Sequence, residues 1–305
     1  MPDATQVRAL AGAALFALLP FLAHAQEEPR DLPIIGMPTN GAMGWQPAAT
    51  ELARDLHWLD GLLLVIISGV SLLVLALILI VILRYNSRRN PTPAKFTHNS
   101  PVEVAWTLGP VFILVFIGAF SLPVLFKQQV IPEADVTIKA TGYQWYWNYE
   151  YPDSEFSFDS YMIGSPATGG DNRLTPEVEA QLQEAGYSRE HFLLATDTAM
   201  VVPVGQTIVV QVTASDVIHS WTVPAFGVKQ DGVPGRLAEL WFTVDEPGIY
   251  FGQCSELCGI AHAYMPITVK VVSEERYAEW IENSGGQLAG FVPEVDVAQA
   301  DREAE

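Results

Sequence analysis

Two long uncharged stretches, residues 62–83 and 104–126, constrain this chain more than anything else in it. The first runs 22 residues without a charge and as a helix would measure about 33 Å, enough to cross the hydrocarbon core of a bilayer. The second is of matching length. Its Gly109, Pro110, Gly118 and Pro123 suit a membrane helix, where neighbouring helices can accommodate the freed backbone groups. Between the two lie Arg84, Arg88, Arg89 and Lys95, with no acid before Glu103. The positive-inside rule puts this loop, residues 84–103, in the cytoplasm. Both mature termini then face the exported side, which in a bacterium is the periplasm. The expected anchor is a two-helix transmembrane hairpin in the bacterial inner membrane.

What precedes the hairpin reads as two segments. Residues 1–25 resemble a secretory signal: Arg8, then apolar residues 10–22, then Ala23-His24-Ala25 as a small-x-small cleavage site. Cleavage would leave Gln26 as the new terminus, able to cyclise. Residues 26–61 are rich in Pro and Gly without sustained periodicity, and are expected to form a periplasmic loop with a short amphipathic lead-in at 52–58.

The region after the hairpin, residues 127–283, is expected to be an all-β domain, a β-sandwich or a Greek-key barrel. A long strand is expected at 136–151, with further strands at 207–213, 217–223, 238–244, 249–253 and 267–272, separated by Gly, Pro and Asp turns. Residues 165–186 interrupt this rhythm. Thr175-Pro176 there reads as an N-cap followed by Pro at the first helical position. Ser273 is expected to cap a terminal helix, and residues 284–305 to form a mobile acidic tail. From Lys127 onward there are 27 acids against 9 bases, so this part carries −18 of the chain's net −19. That balance argues against nucleic acid and favours a basic protein partner.

The chemistry concentrates in Phe-Gly-Gln-Cys254-Ser-Glu256-Leu-Cys258-Gly-Ile-Ala-His262-Ala-Tyr-Met265-Pro, with His219 upstream in Val-Ile-His-Ser-Trp. Two thiols, two imidazoles and a thioether make a donor set that prefers copper to magnesium or calcium. A mononuclear blue-copper site needs only one Cys, so the second thiol suggests two metals. In such a pair both sulfurs would bridge. One copper would add His219 and Met265, and the other His262 and a loop carbonyl, most simply that of Glu256. Two other readings fit the residues alone. Cysteines at this spacing in an exported protein can form a disulfide. They can also bind zinc with both histidines, which leaves Met265 without a role.

The whole string, with His219, resembles the dinuclear copper (CuA) site of subunit II of the haem-copper cytochrome c oxidases, and every ligand position of that family has its counterpart here. The likeness extends from about Trp58 to about Trp280 and is greatest to the alphaproteobacterial branch. It implies a cupredoxin-like domain that takes electrons from cytochrome c at two copper ions. Those electrons pass to haem in subunit I for the reduction of oxygen to water, coupled to proton translocation. The haem belongs to the partner subunit, and subunit III completes the expected assembly.

The resemblance also implies roles for individual residues. In Gln144-Trp145-Tyr146-Trp147, Trp145 matches the position where electrons enter. Glu103, in Asn-Ser-Pro-Val-Glu-Val-Ala-Trp, matches the acid at the mouth of a proton pathway. Glu256 is expected to give its carboxylate to a Mg or Mn ion shared with subunit I, an oxygen ligand suited to a hard cation. Glu150, Asp159, Asp197 and Asp216 match acids that dock cytochrome c. A copper carrier would call for a surface richer in Met or His than six methionines provide. Quinol oxidase subunit II shares the topology but usually lacks the copper ligands, and nitrous oxide reductase shares the copper site but not the two-span anchor.

Overall fold

The computed structural model describes Pro29 and residues 31–286. The signal segment and almost all of the acidic tail lie outside the described residues. Along the chain come β1 (Ile34–Gly36), α1 (Glu51–Arg84), α2 (Ser100–Gln129), β2 (Val136–Tyr143), β3 (Tyr146–Tyr151) and β4 (Phe156–Ser160). These are followed by α3 (Pro176–Glu184), β5 (Met200–Pro203), β6 (Ile208–Ala214), β7 (His219–Val223) and β8 (Val228–Gly232). β9 (Ala238–Phe242), β10 (Gly248–Gln253), β11 (Pro266–Val272) and α4 (Glu274–Asn283) complete the order.

Both apolar stretches are helical and continue beyond their uncharged cores. The amphipathic lead-in is the first turns of α1, not a separate element. Thr50 starts α1, its Oγ1 accepting from Ala53 N at 3.0 Å and donating to the Phe226 carbonyl at 2.7 Å. One hydroxyl thus caps the helix and fastens it to the β-domain. The helix then packs backbone-close: a Cβ on Gly227 would come 2.7 Å from Ala53 Cα. Lys127, at the end of α2, bonds Asp55 at 2.7 Å and also reaches Glu51, while its carbonyl accepts from Trp241 Nε1 at 3.2 Å. Beyond these contacts both helices leave their apolar side chains exposed, as lipid-facing helices must.

The domain packs a four-stranded sheet, ordered β1-β10-β11-β5, against a five-stranded sheet, ordered β4-β3-β2-β6-β9, with the β7-β8 hairpin beside them. β11 is buried along its whole length, whereas β3 alternates half-buried and buried residues. Trp147, Tyr149 and Tyr151 therefore turn inward, into one core with Ile138, Val210, Ile267 and Val269.

Three differences from the sequence reading have identifiable causes. Residues 136–151 form not one strand but a hairpin, with Tyr143 opposite Tyr146 and Gln144-Trp145 between them. The turn has no Gly or Asn to announce it. It is held instead by distant groups: Gln144 N donates to Asp216 at 2.7 Å. The Pro/Gly-rich segment is not all loop, because Ile34–Gly36 adds a parallel edge to β10. β8, Val-Lys-Gln-Asp-Gly, is too polar to stand out as a strand, yet pairs residue for residue with β7. The insertion helix is as expected, Thr175 Oγ1 accepting from Val178 N at 3.3 Å.

Candidate metal centre

The site lies where β10 ends and β7 begins. Sheet register puts Gln253 opposite Pro266 at the mouth of a loop running from Cys254 to Met265. Ser255 N bonds the Ser220 carbonyl at 3.0 Å, which ties this loop to the strand carrying His219. A Cβ on Gly252 would come 2.0 Å from the Thr222 carbonyl, so only glycine lets the strands approach this closely.

Within that frame the expected donors converge. Cys254 Sγ is 3.9 Å from His219 Nδ1, 3.3 Å from the Glu256 carbonyl oxygen and 4.0 Å from Cys258 Sγ. Cys258 Sγ is in turn 3.5 Å from His262 Nδ1 and 3.5 Å from Met265 Sδ. Both cysteines are free, and their separation is about twice the roughly 2.05 Å of a disulfide bond. His219 is 0%, Met265 1% and Cys258 3% exposed, whereas His262 is half-buried.

Electrostatics set the two sulfurs apart. Burial alone would raise the Cys254 thiol, but its hydrogen bonds to His219 and to the Glu256 and Ser220 backbone outweigh this and hold it below its usual range. Cys258 is pushed up to about 12, by burial first and then by the charge on Cys254. A pair of buried sulfurs this close ionises fully only when a cation joins them. The donor set also fits copper better than zinc: the Met265 thioether lies within the cluster, where a tetrahedral Cys2His2 site would have no use for it.

The surroundings add contacts that the sequence reading did not assign. Asp216 Oδ1 lies 2.9 Å from His219 Nε2, and the same carboxylate accepts from Val217 N at 2.6 Å and Gln144 N at 2.7 Å. These hydrogen bonds keep Asp216 below the usual carboxylate range against the opposing effect of burial. A residue expected on a docking surface thus also orients the His219 imidazole. Gln144 Nε2 donates to the Cys258 carbonyl at 2.8 Å, and Trp145 Nε1 donates to the same oxygen at 3.2 Å. Gly142 leaves room for the imidazole, since a Cβ there would sit 2.8 Å from His219 Cγ. Apart from the short-range bonds of Asp216 to Val217 and His219, these contacts have no sequence signal, because each joins residues far apart in the chain.

The remaining expected residues fall in separate places. Trp145 is half-buried at the edge of the cluster. Asp159 and Asp197 adjoin a stack of Tyr143, Tyr146 and Tyr161, with ring centroids 4.8 and 4.6 Å apart. Tyr161 OH bonds Asp159 at 3.3 Å, and its backbone N donates to Asp197 at 2.8 Å. Glu150 instead pairs with Lys139 at 2.9 Å. Glu256 keeps an exposed side chain. Glu103 is far away, at the start of α2, where its carboxylate accepts from Asn99 N at 3.1 Å.

Known proteins match this chain along most of its length. Residues 136–272 match the family model for the periplasmic domain of cytochrome c oxidase subunit II, and residues 38–124 match that for its transmembrane domain. Cytochrome c oxidase subunit 2 of Cereibacter sphaeroides is 65% identical over 296 residues, covering 96% of this chain and 97% of that protein. Probable cytochrome c oxidase subunit 2 of Rickettsia bellii (strain RML369-C) is 44% identical over 240 residues, covering 78% and 82%. The crystal structure of the periplasmic domain of subunit II of the Bradyrhizobium japonicum cytochrome oxidase is 46% identical, with a TM-score of 0.42 over 51% of this chain and 97% of that one. The chain therefore belongs to the cytochrome c oxidase subunit II family, as a membrane protein with two spans.

Proposed function

We infer that this subunit accepts electrons one at a time from cytochrome c at a dinuclear copper (CuA) centre and passes them to haem in subunit I. The observation that carries this reading is the buried pair of unbonded sulfurs, 4.0 Å apart, with two imidazoles, a thioether and a carbonyl around them. Cys254, Cys258, His219, His262, Met265 and the Glu256 carbonyl would hold the metals. Copper bound there supplies a one-electron redox couple shared between two metals. The chain supplies the rest: the strands fix the donors before metal arrives, and burial keeps water away from the sulfurs.

Trp145 is the proposed point of electron uptake. It is partly exposed, and its indole N–H donates to the Cys258 carbonyl. Trp145→Phe should cut the rate of electron uptake strongly, with docking affinity and the copper spectrum little changed. Unaltered transfer kinetics would remove the assignment.

The other roles follow from the same reading. The basic loop faces the cytoplasm, and the β-domain and N-terminal segment face the periplasm. Asp159, Asp197 and Asp216, gathered near the tyrosine stack, form the docking patch for a lysine-ringed cytochrome c, with Glu150 further out and offset by Lys139. The exposed Glu256 carboxylate helps hold a Mg or Mn ion whose other ligands come from subunit I. Subunit III completes the assembly. Glu103 marks the mouth of a proton pathway: Glu103→Ala should slow turnover while the copper spectrum stays the same, and undiminished turnover would refute that role.

A further inference from the structure

The insertion between β4 and β5 ends in a tight turn, Arg189–His191, preceded by Ser188 as its N-cap. His191 Nδ1 accepts from Ser188 N at 2.9 Å, with Ser188 Oγ 3.1 Å away. This is the geometry of a capping box, in which the third residue of the turn reaches back to the N-cap backbone. The residue that usually does so is Glu or Gln. A histidine in that place titrates near neutral pH. The bond from Ser188 N needs a lone pair on Nδ1, so it exists only while that nitrogen carries no proton.

The surroundings disfavour a charged imidazole. His191 is 8% exposed, and its ring packs against Tyr187 and Phe251, with centroids 6.0 and 5.8 Å away. On its own turn, Arg189 pairs with Glu179 of α3 at 2.9 Å, and Glu190 is exposed, as is Glu184 at the end of α3. β10 presents the apolar Phe251, and from β11 the Lys270 ammonium lies over the Tyr187 ring, 5.9 Å from its centroid. Burial outweighs the pull of Glu190 and of the Ser188 backbone, and holds the imidazole below its usual range.

The turn fastens the insertion to the strands on either side of the sulfur-bearing loop. Leu194 N and Ala195 N both bond the His191 carbonyl, at 3.0 and 2.9 Å. The Leu193 carbonyl then accepts from Gln253 Nε2 of β10 at 3.3 Å, and the Leu194 carbonyl from Thr268 Oγ1 of β11 at 3.3 Å. Leu193 itself sits at φ +73°, a conformation that persists for a bulky residue only where its surroundings hold it.

We propose that Ser188 and His191 form a pH-sensitive clasp, in which protonation of His191 breaks its bond from Ser188 N and releases residues 188–195 from β10 and β11. The imidazole stays neutral in the closed turn and takes up a proton readily once the turn opens. The clasp is therefore fully effective above the ordinary imidazole range and weakens as pH falls through and below it.

The test is hydrogen–deuterium exchange with mass spectrometry on the intact oxidase, with protection corrected for the intrinsic exchange rate at each pH. Between about pH 7.5 and about pH 5.5, protection over residues 188–195 should fall about tenfold, the factor expected when a group with an ordinary pKa of about 6.5 is protonated only in the open form. Protection in β6 should stay constant. His191→Gln keeps an acceptor for Ser188 N but cannot titrate, so its protection should match the wild type at the higher pH and remain level at the lower. Exchange of the His191 ring C2 proton in the unaltered enzyme gives the titration midpoint without any substitution, and that midpoint should lie below about 6.5. A pH response undiminished in His191→Gln, no response in the wild type, or a midpoint at or above the ordinary value would overturn the proposal.

Discussion

Gln144 joins the two halves of the sulfur cluster, its backbone N–H reaching the Asp216 carboxylate beneath His219 and its side-chain amide reaching the carbonyl of Cys258. Gln144→Ala removes one of two donors from that carbonyl and should lower folded stability by about 1 kcal/mol. Bound copper should also be lost to a chelator several-fold faster, while Gln144→Glu would not restore the wild-type rate because it lacks the N–H. Chelator kinetics followed by the copper absorption band check this, and equal rates for wild type and Gln144→Ala would contradict it. Gly142→Ala is a harsher change, because its methyl group would press on the His219 ring at 2.8–2.9 Å. A cost of about 1–3 kcal/mol and an altered copper spectrum are expected, measurable by denaturant unfolding and absorbance. The candidate donors themselves were legible because five of the six lie within a dozen residues of one another, in a pattern of donor types. Gln144 and Gly142 were not legible, since only the folded sheet brings them to the site, and the second role of Asp216, three residues before His219, shows only in the hydrogen bond between the two.

At the level of elements, local chemistry announced the caps, while tertiary contacts decided the hairpin. Thr175, Asn99 and Ser273 each accept from the first turn of the helix they precede, and two of these, Thr175 and Ser273, could be read from residue type and position alone. The bend at Gln144-Trp145 had no such signal, so alternating hydrophobicity through residues 136–151 read as a single strand. β1 escaped for a related reason: three residues cannot display a period, and their pairing to β10 supplies what periodicity lacks. These elements also differ in what they do for the site. Thr175→Ala should destabilise the β-domain by about 1 kcal/mol and leave the copper spectrum unchanged, because α3 packs in a satellite core with Ile163, Tyr187 and Phe251. Thermal unfolding with parallel absorbance tests this, and a spectral change would mean that the insertion reaches the cluster.

Across the whole molecule, anchor and domain are docked by Thr50, Lys127, Trp241 and the ion pair of Arg54 with Asp245. The membrane hairpin thereby fixes the orientation of the loop that carries the sulfurs, in which Leu257 and Ile260 stand exposed. The negative charge gathered after Lys127 gives the domain a long-range field, so association with a basic cytochrome c should weaken as salt shortens the screening length. Turnover measured across ionic strength tests this, and a flat profile would remove the docking patch. The central claim is narrower: Cys254 and Cys258 remain unbonded to each other and together hold two copper ions. Electron paramagnetic resonance of the copper-loaded chain tests it most directly. A hyperfine pattern from one electron shared equally by two copper nuclei is the predicted result, and the pattern of a single copper nucleus, or no copper signal from a chain whose two sulfurs are oxidised to a disulfide, would contradict it.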